Sequence, residues 1–329
     1  MTSTHTEPPS LPDQDMRLSG PLPVALMSVA FTVLLVGTWV FSDLTVRRAG
    51  PYVTAAGRSF FSCVGLCLLT LRSKGALRRS VRQIRTRPLA LAVSGLVGVS
   101  IYAASSLLAI DRLGISLPNL LLATGPCLSL LIGVAWFGRR TTRWAVIGVL
   151  VAALGAGLRV LATFQLESRS TAAVVVGVVG GVVAVAAISF YGQHYATLSR
   201  GHDPLDLLPG IFGVGTVILL VLLALTGRLG ALLRVDLTTI GLLVLLGVVI
   251  YVPVYVLQHT LIHVRGAVFM ASISLMTPFG VQFVDAECLG APAPTWWEVG
   301  AGLVCLFGVA LVVRFGAERP RPATPADRS

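Results

Sequence analysis

The sequence predicts an all-α polytopic membrane protein of ten transmembrane helices in two inverted five-helix repeats. Three observations carry this: apolar runs of about 20 residues, arginine clusters in connections that share one side, and a self-alignment of the second half on the first. Of 329 residues, 55% are hydrophobic and only 12% charged, with a mean hydropathy of +0.86. A soluble chain carries about 25% charged residues. Runs of about 20 apolar residues match the roughly 30 Å thickness of bilayer hydrocarbon.

In chain order the spans are Leu22–Phe41, Tyr52–Leu71, Leu89–Ile110, Ile115–Phe137, Trp144–Leu161, Ala172–Tyr191, Leu207–Thr226, Leu237–His259, Gly266–Phe283 and Trp296–Phe315. Short connections make neighbours antiparallel. Residues 1–21 and 316–329 are polar and Pro-rich, and are expected to be disordered cytoplasmic tails. The N-terminal segment lacks the basic start and cleavage site of a signal peptide. Between the tails lie a first five-helix repeat over 22–162, an external linker over 163–171 and a second repeat over 172–315.

Cytoplasmic connections of membrane proteins are rich in Lys and Arg. The segment "RSKGALRRSVRQIRTR" carries Arg72, Lys74, Arg78, Arg79, Arg82, Arg85 and Arg87, and "GRRTTR" carries Arg139, Arg140 and Arg143. Both are placed inside, with the C-terminal Arg314, Arg319, Arg321 and Arg328. The segment "DAECLGAPAPTWWE" holds Asp285, Glu287 and Glu298 and no basic residue, so it faces outward. Ten spans with both termini cytoplasmic satisfy all four. The net charge of +11 is therefore a topology signal, and nucleic acid is not an expected partner.

Shifted by 152 residues, the second half aligns on the first without gaps: Gly95 with Gly247, Gly114 with Gly266, Pro126 with Pro278, Gly138 with Gly290, Trp144 with Trp296 and Gly148 with Gly300. Five spans is an odd number, so the second copy enters the membrane upside down. Inverted repeats are a recurring plan of secondary transporters, whose sites lie near the midplane between the halves.

Further motifs lie on this frame. "GTWVF" at Gly37–Phe41 is followed by Pro51, and Arg58 stands seven residues after that proline. Late in each half come a Pro-bearing helix, a turn and a Gly-rich helix, in "GPCLSLLIGVAWFGRRTTRWAVIGVLVAALGAG" and "TPFGVQFVDAECLGAPAPTWWEVGAGLVCLFG". The chain thereby resembles the drug/metabolite transporter superfamily, close to its EamA-type members, over roughly residues 22 to 315. Where that family's turn carries Glu, this chain has Arg139 and Ala291. The resemblance implies a secondary transporter that moves a small organic metabolite or drug-like solute by alternating access, with export from a bacterial-type inner membrane as the direction. Uptake of a metabolite and a non-transporting membrane accessory protein are the alternatives.

Polar residues at helical spacing mark faces turned away from lipid. In the third span Tyr102, Ser105 and Ser106 form such a stripe, and in the eighth Tyr251, Tyr255, Gln258 and His259 do. Trp39, Asn119, Ser274 and Gln282 complete the candidate solute-binding set. Tyr191 and Gln193 are assigned to the cytoplasmic interface. Pro126, Pro253 and Pro278 are expected to bend their helices. His259 is the span residue that titrates near neutral pH, which makes protons a candidate coupling ion. Arg58 lies in the outer third of its span, where snorkelling to the surface or a gating pair with Asp43 or Asp285 would accommodate its charge. The five cysteines have no His or acidic neighbours at ligand spacing, so neither a metal site nor a cofactor is expected. Nothing pairs a nucleophile with a base, so an enzyme is not expected. Membrane lipids are expected partners, and a homodimer stays open.

Overall fold

The computed structural model describes residues 21–73, 75–137, 141–166, 170–199, 202–274, 276–288, 290 and 294–315; the side chains of 162–166, 196–197 and 262–272, and of residues 21, 137, 204 and 233, are left aside. The terminal tails, Arg139 and Arg140, part of the external linker and Ala291 lie outside the described residues. Within them the secondary structure is helical throughout, and nine helices are long and apolar enough to cross a membrane.

Helix α1 spans Pro21–Ala49 and α2 Pro51–Arg72. A short helix α3, Ala76–Thr86, leads to α4, which runs from Pro88–Gly95 through a π-helical stretch at Leu96–Ile101 into Tyr102–Leu113. Next come α5, Ser116–Ala123, α6, Gly125–Phe137, and α7, Arg143–Leu166. The second half holds α8, Thr171–Leu198, α9, Pro204–Leu225, and a single turn α10, Leu229–Leu233. Helix α11 runs from Leu237–Val244 through a second π-helical stretch, Leu245–Tyr251, into Val252–Ser274. Helices α12, Thr277–Cys288, and α13, Trp296–Phe315, complete the bundle.

Local chemistry sets the boundaries. Gly50 takes a φ of 77°, and Pro51 then opens α2 at a position that needs no amide hydrogen. Gly114, at φ 76°, ends α4. Ser170 caps α8 by accepting from the Ala173 amide, and Asp203 caps α9 by accepting from Leu205. The expected bends at Pro126 and Pro278 are present as helix breaks just before each proline. Thr124 donates its amide to the Leu121 carbonyl and Met276 to the Ile273 carbonyl, both at 3.0 Å, so each break tightens by one residue in the same way.

Some boundaries differ from expectation. The turn predicted between His259 and Gly266 is helical, part of Val252–Ser274. Gly114 is left-handed and breaks its helix; its repeat mate Gly266 stays within helix. The ninth predicted span therefore begins as the end of α11 and continues as α12. Helix α1 also runs beyond its predicted end at Phe41, which puts Asp43 inside a helix.

The two π stretches sit in matching crossings. In the first, α11 lies on α2: a Cβ on Gly247 would stand 2.9 Å from the Arg58 carbonyl and 3.0 Å from the Ser62 amide. In the second, α4 lies on α9: a Cβ on Gly95 would stand 2.7 Å from the Ile211 carbonyl and 3.0 Å from the Gly215 amide. Serine hydroxyls bond across both crossings. Ser62 donates to the Gly247 carbonyl at 3.2 Å, and Ser100 donates to the Gly215 carbonyl at 3.0 Å. Each half thus presses its π stretch onto the other half's second helix.

Helices α7 and α13 pack closest of all. A Cβ on Gly155 would lie 2.2 Å from the Cys305 amide nitrogen, and one on Gly308 would lie 2.2 Å from that of Ala152. Small residues permit such approach where no hydrophobic effect drives helices together. At one end Arg159 and Glu298 form an ion pair, with side chains 9% and 15% exposed. Glu298 also accepts from the Thr295 amide at 2.8 Å, which caps α13. Glu298→Ala is expected to cost about 2–3 kcal/mol, below the roughly 3–5 of a fully enclosed pair because some water reaches it. Glu298→Gln, which keeps an acceptor for the cap, should cost less. Denaturant unfolding of both variants in detergent checks the order.

Helix α3 has three faces. Ala76, Ser80 and Gln83 are buried against the bundle. Leu77, Val81 and Ile84 form an exposed apolar strip, and Arg78, Arg82 and Arg85 an exposed basic one. Arg79 ties the helix to α9 by pairing with Asp206 at 2.9 Å.

Candidate solute site

Five helices converge on one buried cluster of rings. Helix α11 contributes Tyr251, Tyr255 and His259, one per turn along a single face. Helix α8 brings Tyr191 and Tyr195, α9 brings Phe212, α4 brings Tyr102 and α2 brings Arg58. Ring centroids lie 5.8 Å apart between Tyr251 and Tyr255, 5.1 Å between Phe212 and Tyr255, 4.8 Å between Tyr195 and His259, and 5.5 Å between Tyr191 and Tyr195. These are favourable aromatic separations. Glycine makes the convergence possible: a Cβ on Gly98 would fall 2.2 Å from the Tyr191 ring. Buried leucine, isoleucine and valine side chains pack in the same core cluster as the rings.

Arg58 is 4% exposed, and its guanidinium carbon stands 4.5 Å from the Tyr251 ring centroid. It does not snorkel to the surface. Gly57 faces Leu243, and Gly65 faces Val248 and Val252, so α2 and α11 run level and in the same direction. Tyr251 lies 14 residues into α11, roughly 20 Å along it. The guanidinium therefore reaches towards mid-depth. Tyr102, Tyr251 and Tyr255 all lie within its electrostatic reach. A desolvated cation–π contact contributes on the order of 2 kcal/mol. Removing an ion from water costs several kcal/mol. The ring alone does not offset the desolvation of Arg58.

The gating pair is not formed in this structure. Asp43 binds Arg47 at 2.7 Å, and Asp285 accepts a hydrogen bond from Ser116 at 2.6 Å. Asp43 and Arg47 also line an open pocket of about 320 Å³, with Val46, Ile110, Asp111 and Gly114. It opens between the ends of α1 and α4.

Of the residues singled out in the sequence, Tyr102, Tyr251, Tyr255, His259 and Arg58 come together. His259 holds its ring through Nδ1, 2.7 Å from the Tyr255 carbonyl; a carbonyl only accepts, so Nδ1 carries the hydrogen. None of the other candidates makes one of these ring contacts. Trp39 is buried in an apolar cluster with Val53, Ala103 and Val281. Ser105 donates to the Ile101 carbonyl of its own helix at 2.6 Å. Asn119 is 4% exposed, and its side-chain oxygen has no hydrogen-bond partner among the described residues. Gln258, Ser274 and Gln282 are half-buried. The interfacial assignment of Tyr191 is corrected: at 7% exposure it packs on Gly98 inside the bundle, because α8 continues to Leu198. Tyr195 and Phe212 went unnoticed in the sequence; the signal for the first was its i, i+4 spacing from Tyr191.

The model of the EamA-like transporter family matches residues 22–161. The matched segment, 140 of the 329 residues, is similar to the EamA-like transporter family. This EamA-like segment covers α1 through most of α7 and includes Arg58 and Tyr102. The match agrees with a multi-pass helical membrane protein, as do the nine long apolar helices among the described residues. No curated protein matches the chain. Among solved structures, one described only as the crystal structure of a protein superposes with a TM-score of 0.61 at 17% sequence identity, covering 91% of this chain and 100% of that one. That likeness is one of fold.

Proposed function

We propose that the chain is a secondary transporter that moves a small organic metabolite or drug-like solute outward across the cell inner membrane by alternating access. It has ten spans in two inverted repeats, both termini cytoplasmic, and one central site at the ring cluster. The observation that carries this reading is the convergence of α2 and α4 from one half with α8, α9 and α11 from the other on a buried polar cluster. Transporter sites are built where repeats meet. The paired crossings of α2 with α11 and α9 with α4 support the repeat, since the equivalent glycines each meet a carbonyl and the amide four residues beyond it on the facing helix. Export rests on the resemblance to EamA-type proteins. A gate joining Arg58 to Asp43 or Asp285 requires a conformation other than this one, in which that carboxylate has left its present partner.

Reconstitution in liposomes tests the reading with a panel of amino acids, nucleosides, organic acids and cationic dyes. Tyr255→Ala and Gln258→Ala are expected to lower flux more than Cys63→Ala at equal expression. Absence of solute-dependent flux across the panel would refute transport, and equal effects of the three substitutions would refute the placement of the site.

A further inference from the structure

We infer that the central site takes an organic anion, a carboxylate on a flat apolar body, with Arg58 as its anchor. The inference rests on the transport site proposed above and assigns it a substrate class. Arg58 brings a full positive charge into the cluster. Among the described residues its guanidinium forms no ion pair and donates no side-chain hydrogen bond; it stands against the face of Tyr251. The acids around the bundle are committed elsewhere: Asp43 to Arg47, Asp285 to Ser116, Asp206 to Arg79 and Glu298 to Arg159. Asp203, near Tyr195 at the far end of the cluster, caps α9.

A site with one cation and no carboxylate repels cationic solutes and attracts anionic ones, and burial strengthens both effects by lowering the dielectric. The donors suit a carboxylate. A guanidinium presents parallel N–H groups to two oxygens, and the hydroxyls of Tyr102 and Tyr251 stand beside it. The walls suit a ring: Tyr251, Tyr255 and Phe212 offer apolar faces with no further charge.

Benzoate, benzamide and benzylammonium share a ring and differ in charge, so they isolate this claim. Thermal unfolding of the purified full-length protein in detergent, titrated with each, is expected to show saturable stabilisation by benzoate. Its apparent affinity should exceed that for benzamide by about tenfold or more, with no stabilisation by benzylammonium. Arg58→Gln should bring benzoate down to the benzamide level, and Arg58→Lys should retain part of the preference because the charge persists without the fork. If Arg58→Gln does not fold, Tyr102→Phe is read in the same titration and should weaken benzoate more than benzamide. Equal or tighter binding of benzylammonium, no binding of benzoate, or benzoate binding indifferent to these substitutions overturns the inference. Benzoate counterflow in liposomes separates the two claims. Saturable binding with no flux of any solute refutes transport and leaves the anion site standing. Flux of neutral or cationic solutes without benzoate binding does the reverse.

Discussion

Gly308→Val is expected to abolish most of the folded protein. A Cβ at this position would stand 2.2 Å from the Ala152 amide nitrogen and 2.6 Å from the Gly148 carbonyl oxygen. Both are backbone atoms of α7, which no rotamer change removes. Overpacking against movable side chains costs about 1–3 kcal/mol. Here the two helices must separate along the seam, which also strains the Arg159–Glu298 pair. Gly300 lies on the same helix, and a Cβ there meets nothing within 4 Å. Gly300→Val is the matched control and should fold. Monodispersity by size exclusion and the unfolding midpoint of both variants check the prediction; similar behaviour would refute it.

The second large effect is on transport. Arg58→Glu is expected to reduce flux by roughly 30-fold or more, since loss of a buried charge partner costs about 2–5 kcal/mol in recognition. The replacement puts a carboxylate beside the Tyr251 ring, whose negative face repels it. A stability measurement separates the two roles the arginine can have. If Arg58 only props the bundle, Arg58→Lys should lower the unfolding midpoint and flux together. If it anchors solute, Arg58→Lys should keep the midpoint and still cut flux, because lysine supplies charge without paired donors. Flux at the wild-type level in Arg58→Glu would exclude Arg58 from the transport path.

Hydropathy was enough for the helical membrane class, and Pro126 and Pro278 foretold the two matching breaks. The site was legible along one helix at a time. Tyr251, Tyr255 and His259 follow a single face of α11, so their shared orientation shows in the spacing. Tyr191 stands at the end of its apolar run, where tyrosine ordinarily marks the membrane surface; only the extension of α8 to Leu198 makes it internal. Ser105 has the right spacing but satisfies its hydroxyl on its own backbone, a choice that spacing does not reveal. Arg159 is a single charge among apolar neighbours and leaves hydropathy almost unchanged. Its partner Glu298 lies 139 residues away, and the pair exists only once α7 and α13 have closed. The turn expected before Gly266 failed because a glycine permits a left-handed break without requiring one.

Helix α3 has a consequence for how the whole bundle sits. A segment with one face on protein, one apolar and one basic is at rest only where oil, water and protein meet, which is at a membrane surface. It works as a float. If that edge of the bundle sinks, Arg78, Arg82 and Arg85 leave water; if it rises, Leu77, Val81 and Ile84 leave the acyl chains. The Arg79–Asp206 pair moors α9 to this waterline, and α9 carries Phe212 into the ring cluster. In the proposed alternating access, a shift of α9 would tug on a part whose depth the lipid holds, so thickness and headgroup charge of the surrounding bilayer would enter the energetics of the motion.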